Sequence, residues 1–165
     1  MRDYVSRNYS IPNSKLNVVP NHVLTDIFCP ELVKSFPKRL CFVGRFTEQK
    51  NVLALVEACA GMDVNLTLIG KGVLRSEIGA AAELYNVNVT FLGILPHAEL
   101  PFQLRKSSIY MHTTLYEGSP PKALLEAMSC GLPVISTSSG GPESILINNK
   151  DYKNGIICKN SELSI

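Results

Sequence analysis

No stretch of this 165-residue chain approaches the about 20 consecutive apolar residues that a membrane-spanning helix requires. Runs such as Leu40 to Val43 and Val134 to Ile135 are a fraction of that length. No secretory signal is expected at these opening residues, because Met1-Arg2-Asp3-Tyr4 leads into polar residues with no apolar segment behind it. Charge of one sign is not in excess: 16 Lys+Arg stand against 14 Asp+Glu, a net of +2. That balance argues against a disordered charged tail and against a concentrated basic face for nucleic acid. The five cysteines, Cys29, Cys41, Cys59, Cys130 and Cys158, are odd in number, scattered and never spaced as C-x-x-C. They read as buried thiols in a reducing cytosol, not as a disulfide framework or a zinc site. No G-x-S-x-G, H-E-x-x-H or D-x-D occurs, and His22, His97 and His112 are dispersed. Hydrolytic triads and a paired-carboxylate metal site therefore find no support. A lone histidine at a strand end, as His112 is expected to be, reads as a packed or hydrogen-bonded residue.

What is present is apolar residue in quantity, 45% of the chain, enough for one domain that buries roughly 70% of its unfolded surface. Met1 to about Lys38 is polar and broken by Pro12, Pro20, Pro30 and Pro37. Its one apolar stretch, Leu16-Asn17-Val18-Val19, predicts a single strand followed by a linker. From Arg39 onward a rhythm begins. Short, mostly apolar runs at Leu40–Val43, Leu66–Ile69, Val89–Leu92, Ile109–His112, Val134–Ser136 and Ile156–Cys158 predict strands covered on both faces. Val52, Leu55, Val56 and Cys59 recur at helical spacing, giving a helix with one buried stripe. Further helices are expected over Leu74–Tyr85, His97–Lys106 despite Pro101, Lys122–Cys130 and a short one near Glu143–Ile147. Gly131 is placed to supply the left-handed residue that ends the fourth, with Pro133 preventing continuation. Strands alternating with helices predict right-handed βαβ crossovers. The fold class is therefore α/β, a doubly wound, mostly parallel Rossmann-like sheet of about six strands.

Such sheets bind ligands at the carboxyl ends of their strands, and three strand-ending loops carry chemistry. In Val43-Gly44-Arg45-Phe46-Thr47-Glu48-Gln49-Lys50-Asn51, Gly44 turns the backbone and Asn51 is positioned as a helix cap. Arg45 and Lys50 flank the start of that helix. They are either solvated surface cations or a cradle for a diphosphate, with Arg45 forked onto two oxygens and Lys50 a point charge. Leu68-Ile69-Gly70-Lys71-Gly72 is a strand running into a glycine turn, either a tight turn alone or a site of close ligand approach. The third loop, Tyr116-Glu117-Gly118-Ser119-Pro120-Pro121-Lys122, opens a helix near Pro121, a residue suited to its first position. Glu126, an early residue of that helix, either complements its dipole or accepts the two hydroxyls of a ribose.

Taken together, these loops resemble the donor-binding C-terminal domain of retaining GT-B glycosyltransferases, the large family 4. The matching stretches are Phe42-Val43-Gly44-Arg45 with Lys50, Leu68-Ile69-Gly70-Lys71-Gly72, Phe91-Leu92-Gly93, and Tyr116-Glu117-Gly118-Ser119-Pro120 with Leu124-Leu125-Glu126-Ala127-Met128. Gly131-Leu132-Pro133-Val134-Ile135, Gly140-Gly141-Pro142-Glu143 and Asn154-Gly155 continue the pattern, and Val19-Pro20-Asn21-His22 onward is similar to the segment joining the two lobes. The resemblance covers about Leu16 to the C-terminus. It implies residues 1–38 as the end of an N-terminal lobe with its linker. It implies residues 39–165 as a nucleotide-sugar-binding domain truncated at its C-terminus.

The resemblance further implies that Arg45 and Lys50 bind the donor diphosphate and stabilise the charge that grows there. Glu117 would contact the donor sugar, and Glu126 would hold the ribose. Gly44, Gly70, Lys71, Gly118 and Lys122 would line the donor, with the backbone from Phe91 through Leu92 to Leu95 facing the base. The donor is a nucleotide-diphosphate sugar and the acceptor a glycan or lipid-linked molecule held mainly by an N-terminal lobe. No metal or other cofactor is expected. The location implied is cytoplasmic, at the inner face of the membrane. Two departures stand out. Eight residues separate Glu117 from Glu126, one more than in the family, and Pro120 and Pro121 remove two N–H donors from the loop. An alternative from another class is a nucleotide-binding module or fragment without chemistry. An unrelated doubly wound protein would need an acidic cluster or a complete G-x-G-x-x-G, and neither is present.

Overall fold

Each short apolar run from Arg39 onward becomes a strand in the computed structural model, which describes residues 2–31, 37–146 and 154–159. The strands are β1 (Arg39–Val43), β2 (Asn65–Ile69), β3 (Asn88–Gly93), β4 (Ile109–His112), β5 (Val134–Thr137) and β6 (Gly155–Cys158). All pair in parallel, in the order β3-β2-β1-β4-β5-β6. Parallel neighbours need crossovers, and helices supply them: α2 (Val52–Ala58), α3 (Arg75–Leu84), α4 (Leu100–Arg105) and α5 (Lys122–Ser129).

Side chains alternate across the sheet and so divide the core in two. On one face Phe42, Leu66 and Leu68 meet Val52, Leu55 and Val56 of α2 and Ile78 of α3. On the other, Cys41, Ile69, Tyr110 and Val134 meet Leu100, Leu104, Leu124 and Ala127 of α4 and α5. Phe28, from the proline-broken segment, is fully buried in this second core. Arg105 holds its neighbours, donating from Nε to the Cys29 carbonyl at 2.8 Å. Burial pushes the Cys41 thiol up to about 12 and Cys130 up to about 11, so both are inert as nucleophiles.

Several expectations are corrected. Arg2–Tyr9 is a helix, α1, which buries none of its residues; with no apolar stripe it leaves no periodic signal. Leu16–Val19 forms no strand, and Val18 and Val19 stay 66% and 84% exposed, because a lone strand has no ladder to join. Asn51 precedes α2 in a left-handed conformation (φ 48°) and makes no side-chain capping bond. Pro121 is the cap residue of α5, extended at φ −68° and ψ 139°, not its first helical residue. The third helix starts at Leu100, three residues after His97, with Pro101 in its first turn where no N–H is needed. Pro142–Ser144 is a single 3-10 turn, and Ile147 of the expected last helix lies outside the described residues. Gly131 ends α5 left-handed, as expected (φ 85°).

Candidate active site

The strand order reverses between β1 and β4, the switch point near which open α/β sheets place their ligands. The β1 and β2 loops are held against each other. Gly44 N–H donates to Ile69 O at 2.9 Å and Phe46 N–H to Lys71 O at 2.9 Å. Gly70 sits at φ 139°, and a Cβ there would run into the Gly44 carbonyl oxygen; Gly72 lies as closely on the Phe46 backbone. The glycine pair is thus needed first for loop-on-loop packing. Between the loops opens a cleft of about 300 Å³ lined by Val43, Gly44, Arg45, Ile69, Gly70, Lys71, Ile94, Leu95 and Leu100. Its floor is apolar, and Arg45 and Lys71 supply the cations of its rim.

Across the switch point the β1 and β4 loops are tied together. Leu115 N–H donates to Gln49 O at 2.9 Å, Gln49 Nε2 to Tyr116 O at 3.1 Å, and Thr113 Oγ1 to Lys50 O at 2.9 Å. This lacing brings the Lys50 ammonium onto the Glu117 carboxylate in an ion pair whose side chains are only 16% and 17% exposed. Glu117 is also anchored through its own N–H to Ser139 O at 2.7 Å, which draws in the β5 loop. Asn21, from the segment before β1, donates from Nδ2 to Pro120 O at 2.9 Å.

Glu126 lies one turn into α5 and is 7% exposed. Its Oε1 pairs with His97 Nε2 at 3.0 Å. Beneath the rim is Tyr110, fully buried, its hydroxyl 3.5 Å from Val43 O. Burial pushes that phenol well above its ordinary 10, and Cys41, Glu126 and Glu117 push it further, so both carboxylates lie within electrostatic reach of one hydroxyl.

Among the described residues, every buried side-chain nitrogen or oxygen without a hydrogen-bond partner belongs to Thr47, His112, Thr114 or Ser139. All four stand at the carboxyl ends of β1, β4 and β5. His112 is packed, stacked on Tyr110 at 6.4 Å between ring centroids, yet neither of its ring nitrogens is hydrogen-bonded. Burial, and next the Lys50 ammonium, lower its pKa to about 4, so it is neutral at pH 7. Unsatisfied buried polar atoms are uncommon and costly, and here they gather at the carboxyl ends of β1, β4 and β5.

The structure therefore pairs Lys50 with Glu117 and Glu126 with His97, and places Arg45 in the cleft wall with Gly44, Gly70, Lys71 and Leu95. Gly118 and Lys122 are on the β4–α5 connection and the first turn of α5, away from that wall. Phe91 and Leu92 are not in the wall either. Phe91 turns to the α3 face, edge-on to Phe46 at 6.0 Å and beneath the Arg75 guanidinium at 3.2 Å, whereas Leu92 faces a groove with Arg39 and Thr67. Glu143 serves its own turn. Burial opposes its ionisation, but hydrogen bonds from Ser138 Oγ and Gly140 N–H prevail and hold its carboxyl below the usual range. His97, Thr114 and Ser139 were not singled out from the sequence as residues of this rim. Their only local signal was position a few residues past a strand end.

Such a domain, a doubly wound parallel sheet with a cleft at the carboxyl ends of β1 and β2, is an α/β unit of Rossmann type. The chain belongs to the glycosyl transferases group 1 family, whose model matches residues 26–164. It is 34% identical over 119 residues to an uncharacterised glycosyltransferase of Methanocaldococcus jannaschii, covering 72% of this chain and 33% of that protein. It is 29% identical over 153 residues to the amylovoran biosynthesis glycosyltransferase AmsK of Erwinia amylovora, covering 84% and 37%. In fold it is similar to S. aureus TarM, solved with fondaparinux, α-GlcNAc-glycerol and UDP, at a TM-score of 0.82 and 21% identity, over 98% of this chain and 32% of that one. The chain thus spans little more than a third of the length of these curated relatives. Among the described residues no helix is long and apolar enough to cross a membrane.

Proposed function

We propose that this chain is the donor-binding lobe of a retaining glycosyltransferase that moves a sugar from a nucleotide-diphosphate sugar to a glycan or lipid-linked acceptor. The observation that carries this reading is that Arg45, the Lys50–Glu117 ion pair and Glu126 all stand on loops or early helical turns that follow the carboxyl ends of the strands. Arg45 and Lys50 grip the diphosphate and stabilise the negative charge that accumulates as its bond to the sugar breaks, the kind of preorganised electrostatics that dominates catalysis. Glu126 accepts from the ribose, Glu117 from the sugar, and Ile94 and Leu95 wall the base. Lys71 borders the phosphates. Charge on the leaving group is met by these two cations, with no metal or other cofactor called for. The acceptor is held by an N-terminal lobe, and the work is done in the cytoplasm at the inner face of the membrane. TarM, solved with UDP and sugar ligands, supports the donor class.

A second reading, nucleotide binding without transfer, draws on the Lys50–Glu117 ion pair, which occupies the ammonium the first reading needs. Titration calorimetry of UDP, GDP and ADP tests the common ground. Saturable binding of one of them is expected, weakened about tenfold or more by Glu126→Ala. No binding of any, or binding indifferent to that substitution, overturns the proposal. Hydrolysis of, or transfer from, the matching sugar nucleotide by this chain eliminates the second reading.

A further inference from the structure

His97 is held more firmly than a surface histidine needs to be. Its side chain is 54% exposed, so water alone would satisfy it, yet Nε2 meets Glu126 Oε1 at 3.0 Å. Its ring lies against Phe28, 4.9 Å between centroids and tilted 57°, and Phe28 is itself fully buried. The histidine is thus fixed from two sides, by a core aromatic ring and by a carboxylate on α5. It comes from the β3–α4 loop, the same loop whose Ile94 and Leu95 wall the cleft.

Glu126 is the complementary half. Its side chain is 9% exposed, and among the described residues His97 is the one hydrogen-bond partner of its carboxylate. A carboxylate has room for about four donors, and a mostly buried one is costly unless they are supplied. Here one oxygen is clamped and the other, Oε2, receives no donor among the described residues. Oε2 is not among the buried atoms left without a partner and so is open to a ligand or to water.

Resting on the reading of Glu126 given above, we propose that His97 is a positioning residue, one that sets the ribose specificity of the site. In the tautomer that carries its proton on Nε2, it donates to Oε1 and fixes the plane of the carboxylate. Oε2 and the spare lone pair of Oε1 are then presented to the vicinal 2′- and 3′-hydroxyls. Phe28 keeps the ring from rotating away. Without the clamp the carboxylate turns among its rotamers and meets one hydroxyl as readily as two. The discrimination between ribose and 2′-deoxyribose falls in consequence.

The test is calorimetric titration of the full chain with UDP, GDP and ADP and their 2′-deoxy forms, for the parent, His97→Phe, His97→Gln and Glu126→Ala. Phenylalanine keeps the ring on Phe28 but has no N–H; glutamine can place an amide N–H where Nε2 stood. The parent is expected to prefer the ribo form by about tenfold or more, the worth of a hydrogen bond to a charged group. His97→Phe is expected to reduce that ratio to about twofold or less, and His97→Gln to recover most of it. A purely structural role would lower the melting temperature and both affinities together, leaving the ratio intact. If Glu126→Ala abolishes the preference while His97→Phe preserves it, the inference fails and the reading of Glu126 stands. If the parent binds none of the nucleotides, that reading and the inference fall together.

Discussion

At the scale of the residue, His112 couples the site to stability. Its neighbours in charge are Lys50 from the β1 loop and Glu143 from the turn after β5. Burial lowers its pKa from 6.5 to about 4. Between those values the unfolded chain takes up a proton that the folded chain refuses, so stability falls as pH drops from 6.5 and levels off below about 4. The loss is about 3 kcal/mol for a shift of this size. His112→Met should remove that part of the pH dependence and be at least as stable at pH 7, since an orphaned polar group is exchanged for an apolar one. Urea denaturation of both forms at pH 7, 5.5 and 4 checks it; parallel curves would refute the assignment. Gly70 makes a sharper demand. With φ at 139° and the Gly44 carbonyl where a Cβ would stand, Gly70→Ala should cost about 2 kcal/mol or more. That lowers the melting temperature by about 4–8 °C, and it opens the cleft wall.

At the scale of the element, the β1 and β4 loops act as one unit because the Lys50–Glu117 ion pair and the Gln49 and Thr113 hydrogen bonds join them. The pair also sets a competition. On the proposed function, a diphosphate arriving at Lys50 would draw it from Glu117, and only a donor that carries its sugar would offer Glu117 hydroxyls in return. Glu117→Gln should therefore tighten binding of the bare nucleoside diphosphate by roughly 2–10-fold, the worth of a modest ion pair, while weakening binding of the sugar nucleotide. Opposite shifts of the two affinities in parallel titrations are the signature; equal shifts would place Glu117 outside the donor site. The helices meanwhile show how far local pattern reaches. The apolar stripe of Val52, Leu55 and Val56 announces α2, and Gly131 announces the end of α5. The start of α4 is three residues off because Pro101 is tolerated only in a first turn, and that displacement leaves His97 on a loop within reach of Glu126.

At the scale of the whole molecule, one sheet joins two cores, with Leu55 fully buried on the α2 and α3 face and Leu104 on the α4 and α5 face. Strands shared by both faces make them a single cooperative unit. Leu55→Ala and Leu104→Ala should each cost about 2–5 kcal/mol and shift one common unfolding transition. Two separate transitions, followed by far-ultraviolet circular dichroism and by tyrosine fluorescence, would show the faces melting independently.

Local sequence pattern was enough for the six strands from Arg39 onward, most of the helices and the class of the sheet, because runs of apolar residues and helical spacing act over a few neighbouring positions. It also put Arg45, Lys50, Glu117 and Glu126 at strand ends or just beyond them. Only the tertiary structure decided how they are used. Lys50 meets Glu117 across 67 residues and His97 meets Glu126 across 29, pairings that depend on β4 docking beside β1 and not on anything adjacent in the chain. The strandless Leu16–Val19 and the unbonded nitrogens of His112 have the same cause: whether a group finds a partner is settled by what folding carries to it from far away.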